Sequence, residues 1–254
     1  MTAPDALNAI ARLGTATSAS VDDVAFLIAH LGDPRKLVQR RAAEALAVLA
    51  QAGVLVRPAL LQALDDAQLP RRWGAAYALA RIGPPPPAAI ATLIEVMGSN
   101  DGDLRWAAAD ILKRLGPQIL PPVIGIASSG NPPQRKMALY CLRDLAISSV
   151  EVDSVITTAL TDVDVGVRLA GLSALVRVTR DAPAAVAWVV RLARDADAGV
   201  RRAAMSALGS LGHCTVEVKR IVIEAAQTSN DPGLRRAAER TMRMLQLRPP
   251  NPIR

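Results

Sequence analysis

The stretch Asp195–Gly212, DADAGVRRAAMSALGSLG, decides the fold of this 254-residue chain. It begins as a short polar loop and continues as a segment with regularly spaced apolar residues. These residues are Val200, Ala204, Ala207, Leu208 and Leu211. A spacing of i, i+4, i+7, i+8 and i+11 places them on one face of an α-helix. The stretch therefore predicts a loop followed by a helix with one buried side.

The same pattern occurs seven times, at intervals of about 33 residues. The copies align on a column that is mostly arginine: Gln39, Arg72, Arg105, Arg135, Arg168, Arg201 and Arg235. Twelve residues before it lies an apolar column: Leu27, Leu60, Leu93, Val123, Ile156, Val189 and Ile223. Each copy is therefore predicted to be two helices. A repeat of this period indicates a solenoid, because one such hairpin buries its apolar face only against its neighbours.

The predicted fold class is thus all-α, an α-solenoid of about seven two-helix repeats forming one elongated domain over residues 21–246. We place the repeats near residues 22–53, 56–83, 86–116, 118–147, 151–179, 183–212 and 216–246. Residues 1–20 are expected to form an N-terminal cap or a flexible segment. Residues 247–254 form a Pro-rich basic tail that is expected to stay unpacked.

A loop Asp followed by Val-Arg, Ala-Ala, Ala-Leu and Leu-Gly resembles the HEAT repeat, in particular the phycobilisome-lyase-type HEAT-like repeats of bacteria. The resemblance covers about residues 22–246 and implies a right-handed α/α superhelix. It also implies a ladder between adjacent repeats, formed by loop Asp and column Arg. Its residues would be Asp66, Arg72, Arg105, Arg135, Asp162, Arg168, Asp195, Arg201 and Arg235. We expect interruptions at Gln39 and at Asn131-Pro132-Pro133, which depart from the pattern.

In this family the second helices line the concave surface, so their non-core positions are candidate binding residues. We call them the second-helix face: Arg40, Trp73, Tyr77, Arg81, Trp106, Asp110, Lys113, Arg114, Lys136, Tyr140, Arg143, Arg177, Arg202, Arg236, Arg240 and Arg243. With Glu44, Asp144 and Arg180, the face carries twelve basic and three acidic residues, a net +9. The whole chain carries +7, so the remainder nets −2.

Four of the six aromatic residues of the chain also lie on this face. Aromatic rings among cations are typical of binding surfaces. The sequence thus predicts a non-enzymatic scaffold or adaptor that binds an anionic partner in a basic groove. Arg beside aromatic rings suits an acidic protein segment, through carboxylate pairing and cation–π contact. It also suits nucleic acid, through phosphate neutralisation and base stacking. The absence of a Lys-rich arm favours a protein partner.

Two enzymatic alternatives stay open. HEAT-like alkylpurine DNA glycosylases place tryptophans and an essential Asp in a basic cleft, and Trp106 and Asp110 are similarly one helical turn apart. In that interpretation Asp110 would stabilise an oxocarbenium-like sugar. The structural alternative makes Asp110 an ion-pair partner of Lys113 or Arg114. Bilin lyase activity is suggested only by the name of the repeat, and no residue here marks a chromophore site.

Other chemistry has little support in the sequence. The two cysteines, Cys141 and Cys214, form no paired motif, and the two histidines, His30 and His213, cannot build a metal triad or a Ser-His-Asp set. No phosphate-binding loop or dinucleotide motif is present, so neither a cofactor nor a metal is predicted. The first residues lack the pattern of a signal peptide, and no run is apolar enough to span a membrane. We therefore expect a cytoplasmic protein.

Overall fold

The computed structural model describes residues 3–247, so most of the predicted Pro-rich tail lies outside the described residues. Within this range every regular element is a helix and no strand occurs, which confirms the predicted all-α solenoid class. The contacts divide the chain into two compact units. The first unit ends at Gly116 and the second begins at Pro117.

The first unit contains three repeats and one additional helix. Its helices are α1 (Ala3–Leu13), α2 (Val21–His30), α3 (Lys36–Gln51), α4 (Arg57–Ala63), α5 (Leu69–Ile82), α6 (Pro87–Val96) and α7 (Gly102–Arg114). The second helices pack side by side, α3 against α5 and α5 against α7. Helix α1 packs against α3 and buries Ile10 and Leu13. It thus occupies the place of a second helix ahead of the first repeat.

The second unit contains four repeats. After a 3-10 turn (Gly116–Ile119), its helices are α8 (Leu120–Ser129), α9 (Pro132–Leu145), α10 (Val150–Ala159), α11 (Val165–Val178), α12 (Ala182–Leu192), α13 (Ala198–Leu211), α14 (Val216–Thr228) and α15 (Pro232–Met244). The second helices α9, α11, α13 and α15 pack in sequence order. Each unit is therefore a layer of first helices and a layer of second helices.

The apolar columns form the core between these layers. The first-helix column is buried in the first six repeats, whereas Ile223 is only half-buried and its neighbour Val222 is fully buried. Val222 lies thirteen residues before Arg235, one more than the twelve residues that separate Val189 from Arg201 in the preceding repeat. Thr241, a polar residue in the last repeat, is also buried and donates a hydrogen bond of 2.7 Å to the carbonyl oxygen of Met205.

Polar loop residues begin most of the second helices. The side chains of Asp101, Asn131, Asp164, Asp197 and Asp231 accept hydrogen bonds from the first amides of their helices. These amides have no partner inside the helix, so the caps stabilise each helix start. The loop sequence therefore fixes where the buried face of the second helix begins.

The column arginines tie each loop to its helix. In all six, Nη1 donates to a carbonyl oxygen five or six residues earlier. The pairs are Arg72 with Asp66, Arg105 with Ser99, Arg135 with Gly130, Arg168 with Asp162, Arg201 with Asp195 and Arg235 with Ser229. Gln39 replaces this bond by donating to the carbonyl oxygens of Leu31 (2.7 Å) and Pro70 (2.8 Å). The first two repeats are therefore bridged where an interruption was expected.

The carboxylate pairs of the ladder are offset by one repeat from this backbone bond. Arg135 donates two hydrogen bonds of 2.8 Å to Asp162 in the next repeat. Arg168 likewise donates at 2.9 Å to Asp195. The predicted pairing of Asp162 with Arg168 and of Asp195 with Arg201 is thus made through the backbone carbonyl, and the ion pairs join neighbouring repeats.

In the first unit the ladder uses other partners. Arg72 forms its ion pair with Glu95, at the end of the next first helix, at 2.5 Å. The carboxylate of Asp66 binds Arg71 at 2.7 Å rather than Arg72. The predicted pair of Asp66 and Arg72 is therefore limited to the bond between the Arg72 guanidinium and the Asp66 carbonyl oxygen.

The buried environment of the ladder affects the charge of its acids. Burial disfavours ionised Asp162, but hydrogen bonds from Arg135 and from the Asp164 amide outweigh this effect and lower its pKa below the ordinary value. Asp195 has a lowered pKa for the same reasons, with Arg168 and the Asp197 amide as donors. Folding therefore favours the ionised carboxylates.

We expect Asp162→Asn to lower the free energy of unfolding by about 1.5–3 kcal/mol, the usual contribution of hydrogen bonds to a charged group. The measurement is urea unfolding followed by circular dichroism. Glu217→Gln is the matched control, because its ion pair with Arg194 is exposed and such pairs contribute about 0–1 kcal/mol. Equal losses in the two variants would contradict a stabilising role for the ladder.

The same variant has an expected pH dependence. Because the pKa of Asp162 is lower in the folded protein, its contribution is complete above the ordinary value of 3.8 and is lost as pH falls through the lowered value. The stability difference between wild type and Asp162→Asn should therefore narrow below about pH 4. A difference that stays constant down to about pH 2 would argue against the ion pair.

A close approach in the first unit gives a second stability prediction. A Cβ atom on Gly74 of α5 would lie 2.8 Å from Leu31 Cβ and 2.9 Å from the Leu31 carbonyl oxygen. Gly74→Ala should therefore destabilise the protein by about 1–3 kcal/mol through overpacking. Gly125→Ala on α8 has open space around the new methyl group and should stabilise by up to about 1 kcal/mol. The measurement is the unfolding midpoint, and a stabilised Gly74→Ala would refute the steric constraint.

Candidate binding site

The second helices of the first unit enclose a cavity. Lys36, at the start of α3, places Nζ 2.8 Å from Asp101 and 2.9 Å from Asp103, at the start of α7. Hydrogen bonds to Asp101 and Asp103 raise the pKa of Lys36. Because α5 packs between α3 and α7, this bridge joins the two outer helices across the middle one. The space between them is about 370 Å³, and we call it the first-unit cavity.

Trp73 and Tyr77 on α5 form the aromatic part of the first-unit cavity. Their ring centroids are 5.5 Å apart and the rings are tilted by 45°. The rest of the apolar lining comes from Ala43, Gly74, Ala80, Leu104, Ala107, Ile111 and Leu115. Trp73 is only 5% exposed, which corrects its prediction as an exposed contact residue. It nevertheless lines the cavity, together with Ala43 on α3 and Gly74 on α5.

The acidic residues of the cavity lining already have cationic partners. Glu44 pairs with Arg41 at 3.0 Å. Asp110 is held by two cations of its own helix, Arg114 at 2.5 Å and Lys113 at 3.6 Å. The arrangement matches the ion-pair alternative that the sequence offered for Asp110.

Two arginines of the lining keep their charge uncompensated. Arg81 lies over the Tyr77 ring, 5.7 Å from its centroid, and donates to the Tyr77 hydroxyl at 3.3 Å. Arg40 is exposed on α3. Within residues 3–247, neither arginine has a carboxylate partner. The cavity thus combines an apolar interior with two available guanidinium groups.

The structure brings six residues of the predicted second-helix face around this cavity: Arg40, Trp73, Tyr77, Arg81, Asp110 and Arg114. Trp106, which is 49% exposed, and Lys113 lie on α7 outside the lining. The sequence did not predict that Lys36, Gln39 and Asp103 would line this cavity. The signal for Lys36 was available, because it precedes Arg40 by four residues and so shares its helix face.

In the second unit, the predicted residues of α9 interact with one another and with α11. Arg143 stacks over the Tyr140 ring at 4.8 Å from its centroid and pairs with Asp144 at 2.7 Å. It also donates to Ser173 Oγ on α11 at 3.5 Å. Lys136 lies beside Gly166 at the start of α11, and Arg177 is exposed on α11. The predicted binding residues of α9 and α11 thus lie on the surface of two helices that pack against each other.

Helices α13 and α15 enclose a basic space of about 590 Å³, which we call the second-unit cleft. Its charged and polar lining comprises Arg202, Ser206, Arg236, Glu239, Arg240 and Arg243. Arg236, Arg240 and Arg243 follow i, i+4, i+7 spacing and so share one face of α15. Arg202 pairs with Asp231 at 3.0 Å, whereas the three α15 arginines form no ion pair with any described residue.

From residue 3 to residue 247, no group of three or more His, Cys, Asp and Glu side chains converges as metal ligands. Cys141 is buried and Cys214 is exposed, and neither of these two cysteines takes part in a disulfide bond. None of the helices in this range has the length and apolarity that crossing a membrane requires.

Comparisons with known proteins agree with this architecture. A family model described as HEAT repeats matches residues 24–113 and 152–243. One chain of the structure of the CpcE–CpcF complex of phycocyanin lyase from Nostoc sp. PCC7120 matches with a TM-score of 0.53 and 22% identity. The match covers 61% of this chain and 98% of that chain. A chain of the structure of Kap95p with RanGDP matches with a TM-score of 0.62 and 13% identity, over 94% of this chain and 38% of that chain. No curated protein matches by sequence. The structural likenesses show the fold.

Proposed function

Because the chain belongs to the HEAT-repeat family, we propose that it is a non-enzymatic scaffold that binds an acidic segment of a protein partner. A repeat scaffold of this kind suits a protein-interaction role. The observation that carries the acidic specificity is the second-unit cleft, in which Arg236, Arg240 and Arg243 lie on one face without ion-pair partners among the described residues.

Charge accounting supports an acidic ligand. The acids of the second-helix face, Glu44, Asp110 and Asp144, are each engaged by a neighbouring cation. The guanidinium groups that remain can each donate two parallel hydrogen bonds to a carboxylate. Several such groups on one surface also attract an acidic partner over a distance of about a Debye length.

The composition of the second-unit cleft favours a protein over a nucleic acid. The lining contains no aromatic ring on which a base could stack. Glu239 also lies in the lining, where it would repel the continuous charge of a phosphate backbone. A protein segment can place a neutral or basic residue opposite Glu239 and carboxylates opposite the arginines.

The glycosylase-like alternative rests on Asp110 and Trp106. Both oxygens of the Asp110 carboxylate face cations, Oδ2 facing Arg114 and Oδ1 facing Lys113. Two ion pairs within one helix account for an acidic residue at this position without a catalytic role. The structure therefore supports the scaffold over the repair enzyme.

The proposal predicts selective loss of binding on charge reversal in the cleft. A labelled peptide of about ten residues, rich in Glu and without aromatic residues, should bind the wild-type chain in fluorescence anisotropy. Binding should weaken as NaCl rises from about 50 to 300 mM. Arg236→Glu with Arg240→Glu should weaken binding at least about tenfold, because both ionic contacts become repulsive.

The matched control reverses Lys219 and Arg220, which are exposed on the first helix α14, and changes the net charge equally. Equal weakening by the two double variants would show that net charge alone sets the affinity for the peptide. This result would refute the cleft as the binding site. A duplex DNA probe is the competing arm. Tighter binding of DNA, with release of alkylated purines that Asp110→Asn abolishes, would establish the repair enzyme instead.

A further inference from the structure

The first-unit cavity differs in character from the second-unit cleft. At about 370 Å³ it is at the small end of the range of protein ligand pockets, about 300–1,000 Å³. Its interior is mostly apolar, with charged groups from Lys36, Arg40, Arg81 and Arg114 in its lining. At protein interfaces, pockets of this kind hold single anchor side chains that contribute much of the affinity.

Small residues line the first-unit cavity on all three second helices: Ala43 on α3, Gly74 and Ala80 on α5, and Ala107 on α7. Four residues after the arginine column, Ala43 lines the cavity on α3, and the first three repeats of the second unit carry Leu139, Leu172 and Met205 at this offset. All four are buried. Two residues after the column, Ala107 lines the cavity on α7, and α9 has the buried Met137 at this position. Ala43 and Ala107 therefore leave space that a leucine or methionine at the same offset would occupy.

The chemistry of the cavity suits an aromatic occupant. Trp73 and Tyr77 both line the cavity, and an incoming ring can pack edge-to-face or offset against the half-buried Tyr77 ring. Arg40 and Arg81 can also lie over the face of such a ring. An aliphatic side chain would gain the burial but neither of these contacts.

The charged residues of the cavity lining determine which residues of a partner suit the positions next to the aromatic side chain. Of the acids in the lining, Glu44, Asp103 and Asp110 are all paired, with Arg41, Lys36 and Arg114 respectively. The charge that a partner meets therefore comes from Arg40 and Arg81. Carboxylates next to the anchor would pair with them.

We propose that the first-unit cavity binds one aromatic side chain of the partner, flanked by acidic residues, as the anchor of the acidic segment. This inference rests on the proposed function, because it assumes that the partner segment is acidic. It adds a second recognition element, an apolar contact, to the ionic contacts of the second-unit cleft.

Three peptides of about ten residues test the anchor with the full chain by titration calorimetry. The first has one central Phe between Glu-rich flanks, the second replaces Phe by Ala, and the third places Phe between Lys-rich flanks. The Phe peptide with acidic flanks should bind roughly 10- to 100-fold more tightly than the Ala peptide, as expected for burial of an aromatic side chain. The Lys-flanked peptide should bind more weakly than either.

The location is tested by Ala107→Met, which places on α7 the residue that α9 has at the same position. It should remove most of the Phe advantage, while Ala91→Met, at an exposed site on α6 of the same repeat, should leave it intact. If Ala107→Met does not fold, Ala80→Leu fills the cavity from α5. A Phe advantage that survives filling overturns the location.

The results separate this inference from the proposed function. If the Phe and Ala peptides bind equally and both depend on Arg236 and Arg240, the anchor is wrong and the acidic scaffold stands. Equal binding of the Lys-flanked and Glu-flanked Phe peptides would also overturn the inference. If no acidic peptide binds, the proposed function fails and the anchor fails with it.

Discussion

The bond from the column arginine to the loop carbonyl is the constraint on which the rest of the structure depends. In the six repeats with a column arginine it ties the second helix to its loop, because Nη1 donates to a backbone carbonyl oxygen five or six residues earlier. In the middle of the second unit, the same guanidinium also binds the carboxylate of the next repeat, as Arg168 does with Asp195. One side chain thus sets both the geometry within a repeat and the contact between repeats.

Regular stacking turns sequence offsets into surface rows. Once neighbouring second helices share one orientation, residues at the same offset from the column lie beside one another in each unit. A change of residue type at one offset from the arginine column then alters the surface or core of the repeat only locally. Ala43 at the fourth offset lines the cavity of the first unit, and the first three repeats of the second unit have a buried leucine or methionine at this offset. The repeat fold therefore allows different binding properties in units with the same backbone.

Much of the fold could be predicted from the sequence, because helical spacing and a period of about 33 residues depend on local chemistry alone. The burial of Trp73 could not be predicted in this way, since it depends on how α5 packs against α3 and α6. The contact of Lys36 with Asp101 was also hidden, because 65 residues separate them and only the stacking of three repeats brings them together. The shift from Ile223 to Val222 accompanies one extra residue between the buried position of α14 and Arg235.

The bridge between Lys36 and the acids at the start of α7 has a consequence for how salt acts on this surface. It is solvent-exposed, and dissolved ions screen such pairs. Raising the ionic strength therefore weakens two things at once, the attraction of an acidic partner and the contact that holds α3 and α7 together over α5. The slope of the binding affinity against salt concentration would then overstate the number of ion pairs between this protein and its partner. Part of that slope would come from the weakened bridge between α3 and α7.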